Sequence, residues 1–402
     1  MSGRVLESVP LPEQLAAVGR DPLRVLVVGA GVAGVTLAQL LRTAGLHPVL
    51  VDRRTAGADP GYMLGLMPLV DPALRHLGVE DAYRERSVPV RRYALRDRAG
   101  RPVREYPLAG LLAFGDYRGI ERGELLAVLA AAGGAVTHGA TVTGLAQDGE
   151  RVRAVLADGI GEETAEFDVA IAADGMHSAT RALVLDDGQV TGLDTGWGGW
   201  VAWTDSDDAP DRYDECWGAG FLLRTYPVRD RIGVFVGGPR RDTAAGPAAF
   251  AARVRGQLRA EDVRLDRALA AVAAGDGTRF WPMTDVRSAT WSGGRVGLLG
   301  DAAAGFLPTA GIGAGMAIES AAVLGRLLLQ ATPGSVPEVL RRYEARQRPR
   351  VEAAQQNSRV LARMVFRSSR PAAVARDLAA RFLSLDRALA PIRRLLDDRP
   401  EV

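Results

Sequence analysis

The run Arg24-Val25-Leu26-Val27-Val28-Gly29-Ala30-Gly31-Val32-Ala33-Gly34 constrains the fold more than any other stretch of the chain. Four consecutive Val and Leu residues read as a strand buried on both faces of a parallel sheet. Gly29-x-Gly31-x-x-Gly34 follows at once. Residues 32–44 then have helical spacing, with Gly45 as a C-cap. Residues 47–51 supply a second strand that ends at Asp52, completing a βαβ unit. Gly29 permits the tight turn, Gly31 lets the backbone approach a pyrophosphate, and Gly34 lets helix and strand pack closely. Val32 and Ala33 open the helix, whose N–H groups and dipole favour phosphate. Asp52 is placed to accept ribose hydroxyls, and Arg53 stands beside it. The pattern predicts a dinucleotide site without separating NAD from FAD.

A second segment nearly three hundred residues later repeats the logic. Gly297-Leu298-Leu299-Gly300-Asp301 reads as a buried strand ending in an acid, and Ala302 through Pro308 forms a second small-residue turn. Asp301 at a strand end points into the crevice beyond the sheet, where ligands of open α/β folds bind. Pro308 stiffens the loop. Gly311, Gly313 and Gly315, with Ala314 between them, leave N–H groups uncovered at a helix start. Residues 167–173 form a third buried strand, ending at Asp174-Gly175. One dinucleotide held from both ends is the reading these segments support together.

Bulk composition narrows the class. At 402 residues and 47% hydrophobic content, the chain is too long for one simple core and predicts two intimately packed domains. A net charge of +2 supplies no field for nucleic acid. All 50 basic residues are Arg, so Schiff-base and lysine-base chemistry are excluded. Cys216 is the only cysteine, so no disulfide or thiolate metal site forms within the chain. His47, His76, His138 and His177 lack metal-ligand spacing. No apolar run is long enough to span a bilayer, and no signal-peptide core is present, so a cytoplasmic location is expected.

The segments predict an order. An N-terminal extension (1–22) precedes the first part of a dinucleotide-binding domain (23–87). Strands of a substrate domain follow (88–120), then the second part (121–187). An aromatic-rich β-sheet region (188–290) contains a helical insert at 247–274. The third part (291–335) and C-terminal helices (336–402) complete the chain.

With these motifs in place, the chain resembles the class A FAD-dependent aromatic hydroxylases and monooxygenases, the para-hydroxybenzoate hydroxylase-like family. The glycine turn, the segment Asp168 to Arg181 containing Asp174-Gly175, and Gly300-Asp301 through Gly315 carry the resemblance. It implies an α/β fold: a Rossmann-like, glutathione-reductase-type FAD domain with an inserted β-sheet substrate domain and C-terminal helices. It implies that Asp174 and Gly175 serve FAD and the nicotinamide donor. Asp301 would bind the ribityl hydroxyls, the loop after it would pass the flavin ring, and Arg122 would lie near the flavin and its phosphates. Two positions depart from the family pattern: Ala304, where His is frequent, and Gly315, where Asn is frequent.

The implied activity consumes NADPH or NADH and O2 and inserts one oxygen atom into an apolar or aromatic metabolite, by hydroxylation or epoxidation, in bacterial natural-product biosynthesis. A non-oxygenating FAD enzyme of cyclase or isomerase type is the alternative on the same scaffold. The missing lysine disfavours a flavin-dependent halogenase. Oxygen transfer needs no side-chain acid or base, and no catalytic residue is assigned. His177 reads as structural or cofactor-facing, and Cys216 as a passive buried residue. Trp203, Arg224 and Tyr226 are the candidate substrate contacts, the last two sharing a strand face with Leu222. No metal, nucleic-acid partner or membrane insertion is expected.

Overall fold

The computed structural model describes residues 6–55, 61–108, 115–382, 390, 393–398 and 400. Strand Val25–Val28 is wholly buried and lies between Val49–Asp52 and Val169–Ala172, parallel to both. Aliphatic side chains fill both faces, which is why none of the three strands alternates with polar residues. Val296–Leu298 extends the sheet on one side, and Ser292–Gly293 closes that edge antiparallel. Ala135–His138 and then Glu7–Ser8 extend it on the other.

Helices Val32–Thr43 and Gly313–Leu328 pack against one another over one face of this seven-stranded sheet. An antiparallel meander, Thr141–Gln147, Val152–Ala157 and Glu162–Phe167, covers the other face with helix Leu11–Val18. There Val142, Leu156 and Phe167 meet Leu26, Val28 and Val51. The N-terminal segment is knitted into the sheet. The Gln14 side-chain amide exchanges two 2.9 Å hydrogen bonds with the Leu50 main chain and donates to Thr137 Oγ1 at 2.7 Å.

A second, eight-stranded sheet runs in the order Ala304–Gly305, Arg279–Ser288, Val190–Asp205, Arg231–Pro239, Leu222–Val228, Arg212–Trp217, Arg92–Arg96, Pro102–Pro107. Its pairs are antiparallel except Arg212–Trp217 against Arg92–Arg96. Helices Pro247–Arg255 and Val263–Ala274 cover one face. They are two helices where the sequence predicts one insert, because Asp262 caps the second through the Arg264 and Leu265 N–H groups. The other face carries Trp197, Val201, Leu222, Phe235 and Met283 and turns toward the parallel sheet.

Strands in the 88–120 region divide. Arg92–Arg96 and Pro102–Pro107 join the large sheet, whereas Val88–Pro89 and Arg118–Glu121 form a small sheet with Met63–Leu66. The 30-residue helix Val336–Val365 ties the layers together. Gln355 Nε2 on that helix donates to the Val286 and Gly305 carbonyls at 2.8 and 2.7 Å. Among the described residues, no helix is long and apolar enough to cross a membrane.

Candidate active site

The ends of the parallel strands and the apolar face of the large sheet enclose one cleft. It holds about 1370 Å³, counting its open mouth. Two helix N-termini open into it. Helix Val32–Thr43 begins after Gly31 without a side-chain cap, and helix Gly313–Leu328 begins after Ile312 in the same way. Gly31, Val32, Ala33, Gly311, Gly313 and Ala314 all line the cleft. Both helices therefore present orphan N–H groups and positive dipole ends to the same space.

The glycines divide their labour as the turn geometry requires. Gly29 has φ +107°, and a Cβ there would sit 2.5 Å from the Ala173 carbonyl oxygen. A Cβ on Gly34 would come within 1.9 Å of the Gly29 carbonyl oxygen. These two residues make the turn and its packing. At Gly31 the nearest atom to such a Cβ is Arg122 Nη2 at 3.9 Å, so the space above it is open to a ligand.

Asp52 is buried beside this turn. It accepts from the Ala30 N–H at 2.7 Å and from the Arg54 N–H at 2.8 Å, and the Arg54 guanidinium adds a further contact at 3.1 Å. Burial alone would raise its pKa, but the hydrogen bonds from Arg54 and Ala30 outweigh that and hold the carboxyl below its usual range. Its neighbour Arg53 is exposed, and Arg54 is the arginine that meets Asp52.

Asp301 lines the cleft. Among the described residues, no group hydrogen-bonds its carboxylate. Burial pushes its pKa up from 3.8 to about 6, with Arg122 opposing the shift. The adjacent Gly300 has φ +62°, and a Cβ there would strike the Ala33 side chain at 2.8 Å. Arg122 opens the helix Arg122–Leu129 and stands over the Tyr62 ring at 5.7 Å. Burial lowers its pKa to about 10, and Arg54 adds to the shift.

Asp174 is turned elsewhere. Its carboxylate accepts from Ser178 Oγ and from the Thr180 N–H at 3.0 Å, fixing the start of helix Ala179–Ala182. Gly175 beside it lines the cleft. His177 in the same turn is exposed and does not border the cleft. The two departures pack inward. Ala304 is buried in a strand pair with Arg287, and a Cβ on Gly315 would approach the Leu69 side chain at 3.2 Å.

The substrate candidates separate. Leu222, Arg224 and Tyr226 share a face as the strand period requires, and Arg224 and Tyr226 border the cleft. Arg224 is committed to protein partners. Its Nε lies 2.8 Å from Glu215 Oε1, an ionic contact off the hydrogen-bond direction. Its Nη1 and Nη2 donate to the Pro308 and Thr309 carbonyls at 3.1 and 3.0 Å. Burial opposes the Arg224 charge, but Glu215 overcomes it and drives the pKa well above the usual value. Glu215 also accepts from Tyr93 at 2.9 Å, from Trp217 Nε1 at 2.7 Å and from Tyr213.

Trp203 lies outside the cleft. It shares a face with Val201 but sits two residues further along, opposite Gly233, where the Arg231 guanidinium covers its ring at 4.0 Å. The aromatic and apolar wall comes instead from Val201, Phe235, Trp281, Met283, Phe306 and Leu307, with Met63 and with Tyr62, whose ring lies 4.9 Å from that of Trp281. The sequence marks Phe235 and Trp281 as strand aromatics without assigning them to the cleft. Period-2 alternation marks Val201 and Phe235 as inward residues of their strands, but register decides which inward residue meets the cleft.

The family model described as FAD binding domain matches residues 22–358. The chain belongs to this family. The 3-amino-4-hydroxybenzoate 2-monooxygenase PtnB3 of Streptomyces platensis is 31% identical over 84% of this chain and 87% of its own length. The 6-hydroxynicotinate 3-monooxygenase of Bordetella bronchiseptica is 28% identical over 83% of this chain and 90% of its own. The crystal structure of Klebsiella pneumoniae HpxO complexed with FAD and uric acid superposes with a TM-score of 0.81 at 25% identity, covering 94% of this chain and 97% of that one. This protein is an FAD-dependent monooxygenase with the para-hydroxybenzoate hydroxylase-like fold.

The residues of the monooxygenase fit that cofactor. The open space over Gly31, the uncapped helix start after it and Arg122 suit a pyrophosphate. The unpartnered Asp301 carboxylate suits ribityl hydroxyls, and the second uncapped helix start suits the electron-rich edge of a flavin ring. When bound, FAD supplies the redox and oxygen chemistry. The chain positions it, orients the substrate beside it and excludes water.

Proposed function

We propose that the enzyme hydroxylates a small electron-rich aromatic metabolite, drawing electrons from NADPH or NADH and one oxygen atom from O2, in the cytoplasm of its host. Gly29, Gly31, Val32, Ala33, Gly34, Asp52, Arg122, Gly175, Gly300, Asp301, Pro308, Gly311, Gly313 and Ala314 form or line the cofactor side in this reading. One observation carries it: the two uncapped helix starts, the unpartnered Asp301 and a wall built from Val201, Phe235, Trp281 and Met283 share a single cleft. A flat apolar wall facing the cofactor suits a ring substrate and keeps water from the reacting carbon. The relatives' names point the same way, since aminohydroxybenzoate, hydroxynicotinate and urate are small planar rings rich in electrons.

The test uses the FAD-loaded protein and a panel of hydroxylated and aminated aromatic compounds. NADPH or NADH consumption should rise when the substrate is added, and the product should carry an atom from isotopically labelled O2. Ligand binding without stimulated consumption, or turnover without incorporated label, would exclude the hydroxylase reading.

A further inference from the structure

We propose that the substrate side of the cleft selects uncharged aromatic rings and discriminates against ring carboxylates, which departs from the benzoate and nicotinate named for two relatives. The proposal rests on the monooxygenase reading and names the substrate class within it.

Among the described residues, the cations lining the cleft are Arg122 and Arg224. Arg122 stands at the glycine turn, beside Gly31 and over Tyr62, which is the cofactor end. Arg224 is the one of the two that the large sheet carries, and it is 3% exposed. Its three nitrogens are engaged by Glu215, by the Pro308 and Thr309 carbonyls and by the Tyr226 hydroxyl. The Glu215 carboxylate at 2.8 Å compensates its charge.

A substrate carboxylate entering here gives up its hydration and meets no uncompensated cation. Burying a charge on those terms is costly. Asp301 places a further acid in the same space. Arg279 is exposed, its guanidinium carbon 6.0 Å from the Trp281 ring, and water screens such a charge strongly. An uncharged ring loses little by contrast. It gains contact with Val201, Phe235, Trp281 and Met283. Glu215 is thereby a specificity-determining residue acting through Arg224.

The test compares near-isosteric pairs on the FAD-loaded enzyme: 3-amino-4-hydroxybenzoate and 4-hydroxybenzoate, each against its primary amide. Dissociation constants are read from the change in bound-flavin absorbance. At pH 7.5 each amide should bind about tenfold or more tightly than its acid. Acids binding as tightly as the amides, or more tightly, would overturn the proposal. In Glu215→Gln the uncompensated Arg224 should favour the acid and shrink or invert the ratio, and an unchanged ratio would remove Glu215 and Arg224 from the explanation.

Wild-type enzyme provides a second reading that is independent of how that variant folds. Lowering the pH by two units multiplies the neutral fraction of each acid by about a hundred. The acid-to-amide ratio should narrow accordingly, and a ratio flat with pH would count against charge as the discriminator. Loss of substrate-stimulated NADPH or NADH consumption with this binding pattern intact would overturn the hydroxylase reading alone.

Discussion

Arg224 donates to the main-chain carbonyl of Pro308 at 3.1 Å and so fastens the substrate sheet to the loop that enters helix Gly313–Leu328. The same guanidinium sits against Glu215, which Tyr93, Tyr213 and Trp217 also hold. A buried ion pair within the sheet thus holds the guanidinium that bridges to the loop. Removing one partner strands the other charge.

Arg224→Met should therefore lower stability by about 3–5 kcal/mol, with Glu215 left buried and unpaired. The double variant Arg224→Met/Glu215→Gln should recover part of that loss, because the two residues are coupled. Thermal unfolding of the three proteins with FAD bound measures both effects. Additive losses in the double variant would show that the pair does not act as a unit.

Asp301 and Asp174 should behave differently on substitution. Asp301→Ala removes an acid that faces the cleft and should weaken FAD binding by about 1.5–3 kcal/mol, the worth of a hydrogen bond to a charged group. Asp174→Ala removes acceptors for Ser178 and Thr180 and should lower the melting temperature more than it weakens FAD binding. FAD titrations and melting curves on both variants decide, and equal FAD affinity in wild type and Asp301→Ala would remove Asp301 from the cofactor site.

The pH dependence of the FAD-free protein follows from the same residue. Burial raises Asp301 from 3.8 to about 6, so the folded chain prefers the neutral carboxyl. That contribution is complete below the unfolded value and is lost as the pH rises through about 6. Two units correspond to at most about 3 kcal/mol, less what the open cleft screens. Asp301→Asn should unfold at higher urea than wild type at pH 7.5, and the gap should close toward pH 4. A gap independent of pH would mean that the carboxyl titrates normally.

Legibility in the sequence followed the type of signal. The glycine turn is legible because backbone geometry permits only glycine at Gly29 and Gly34, and the place of Asp301 at the cleft because strand ends of a parallel sheet face the crevice, whereas the Asp52 carboxylate turns onto the Ala30 and Arg54 N–H groups. Strand Glu162–Phe167 was missed: three of its six residues are Glu, and its burial alternates on a partly solvated meander. Arg224 and Tyr226 were placed at the cleft by strand period. That Arg224 is held by Glu215 needed the pairing of Arg212–Trp217 with Leu222–Val228, which brings the two residues opposite one another. The role of Gln14 needed a long-range contact with Leu50 that no local pattern announces.

Gly31→Ala and Gly34→Ala should fail in different ways. A Cβ on Gly31 meets only Arg122 Nη2, at an ordinary 3.9 Å, so the FAD-free fold should keep its stability to within about 1 kcal/mol. It would occupy space needed by the pyrophosphate, and FAD affinity should fall. A Cβ on Gly34 would sit 1.9 Å from the Gly29 carbonyl oxygen, so the turn itself must break. Melting of both FAD-free variants separates these cases, and a stable Gly34→Ala protein with normal FAD affinity would refute the turn geometry.

The last prediction concerns the wall of the substrate side. Trp203 and Val201 point to the same face of strand Val190–Asp205, but two residues move a side chain about 7 Å along a strand. Val201 opposes Phe235 at the cleft, whereas Trp203 opposes Gly233 and lies under Arg231. Trp203→Ala should thus cost the cation–π contact, about 0.5–2 kcal/mol, and leave KM unchanged. Phe235→Ala and Trp281→Ala remove ring surface from the cleft itself. Each should raise KM or redistribute products while bound FAD is retained, since neither side chain belongs to the glycine turn or to the Asp301 end. Steady-state kinetics and product analysis on the three variants give the comparison. A change in KM confined to Trp203→Ala would place the substrate two residues further along the strand than the cleft geometry puts it.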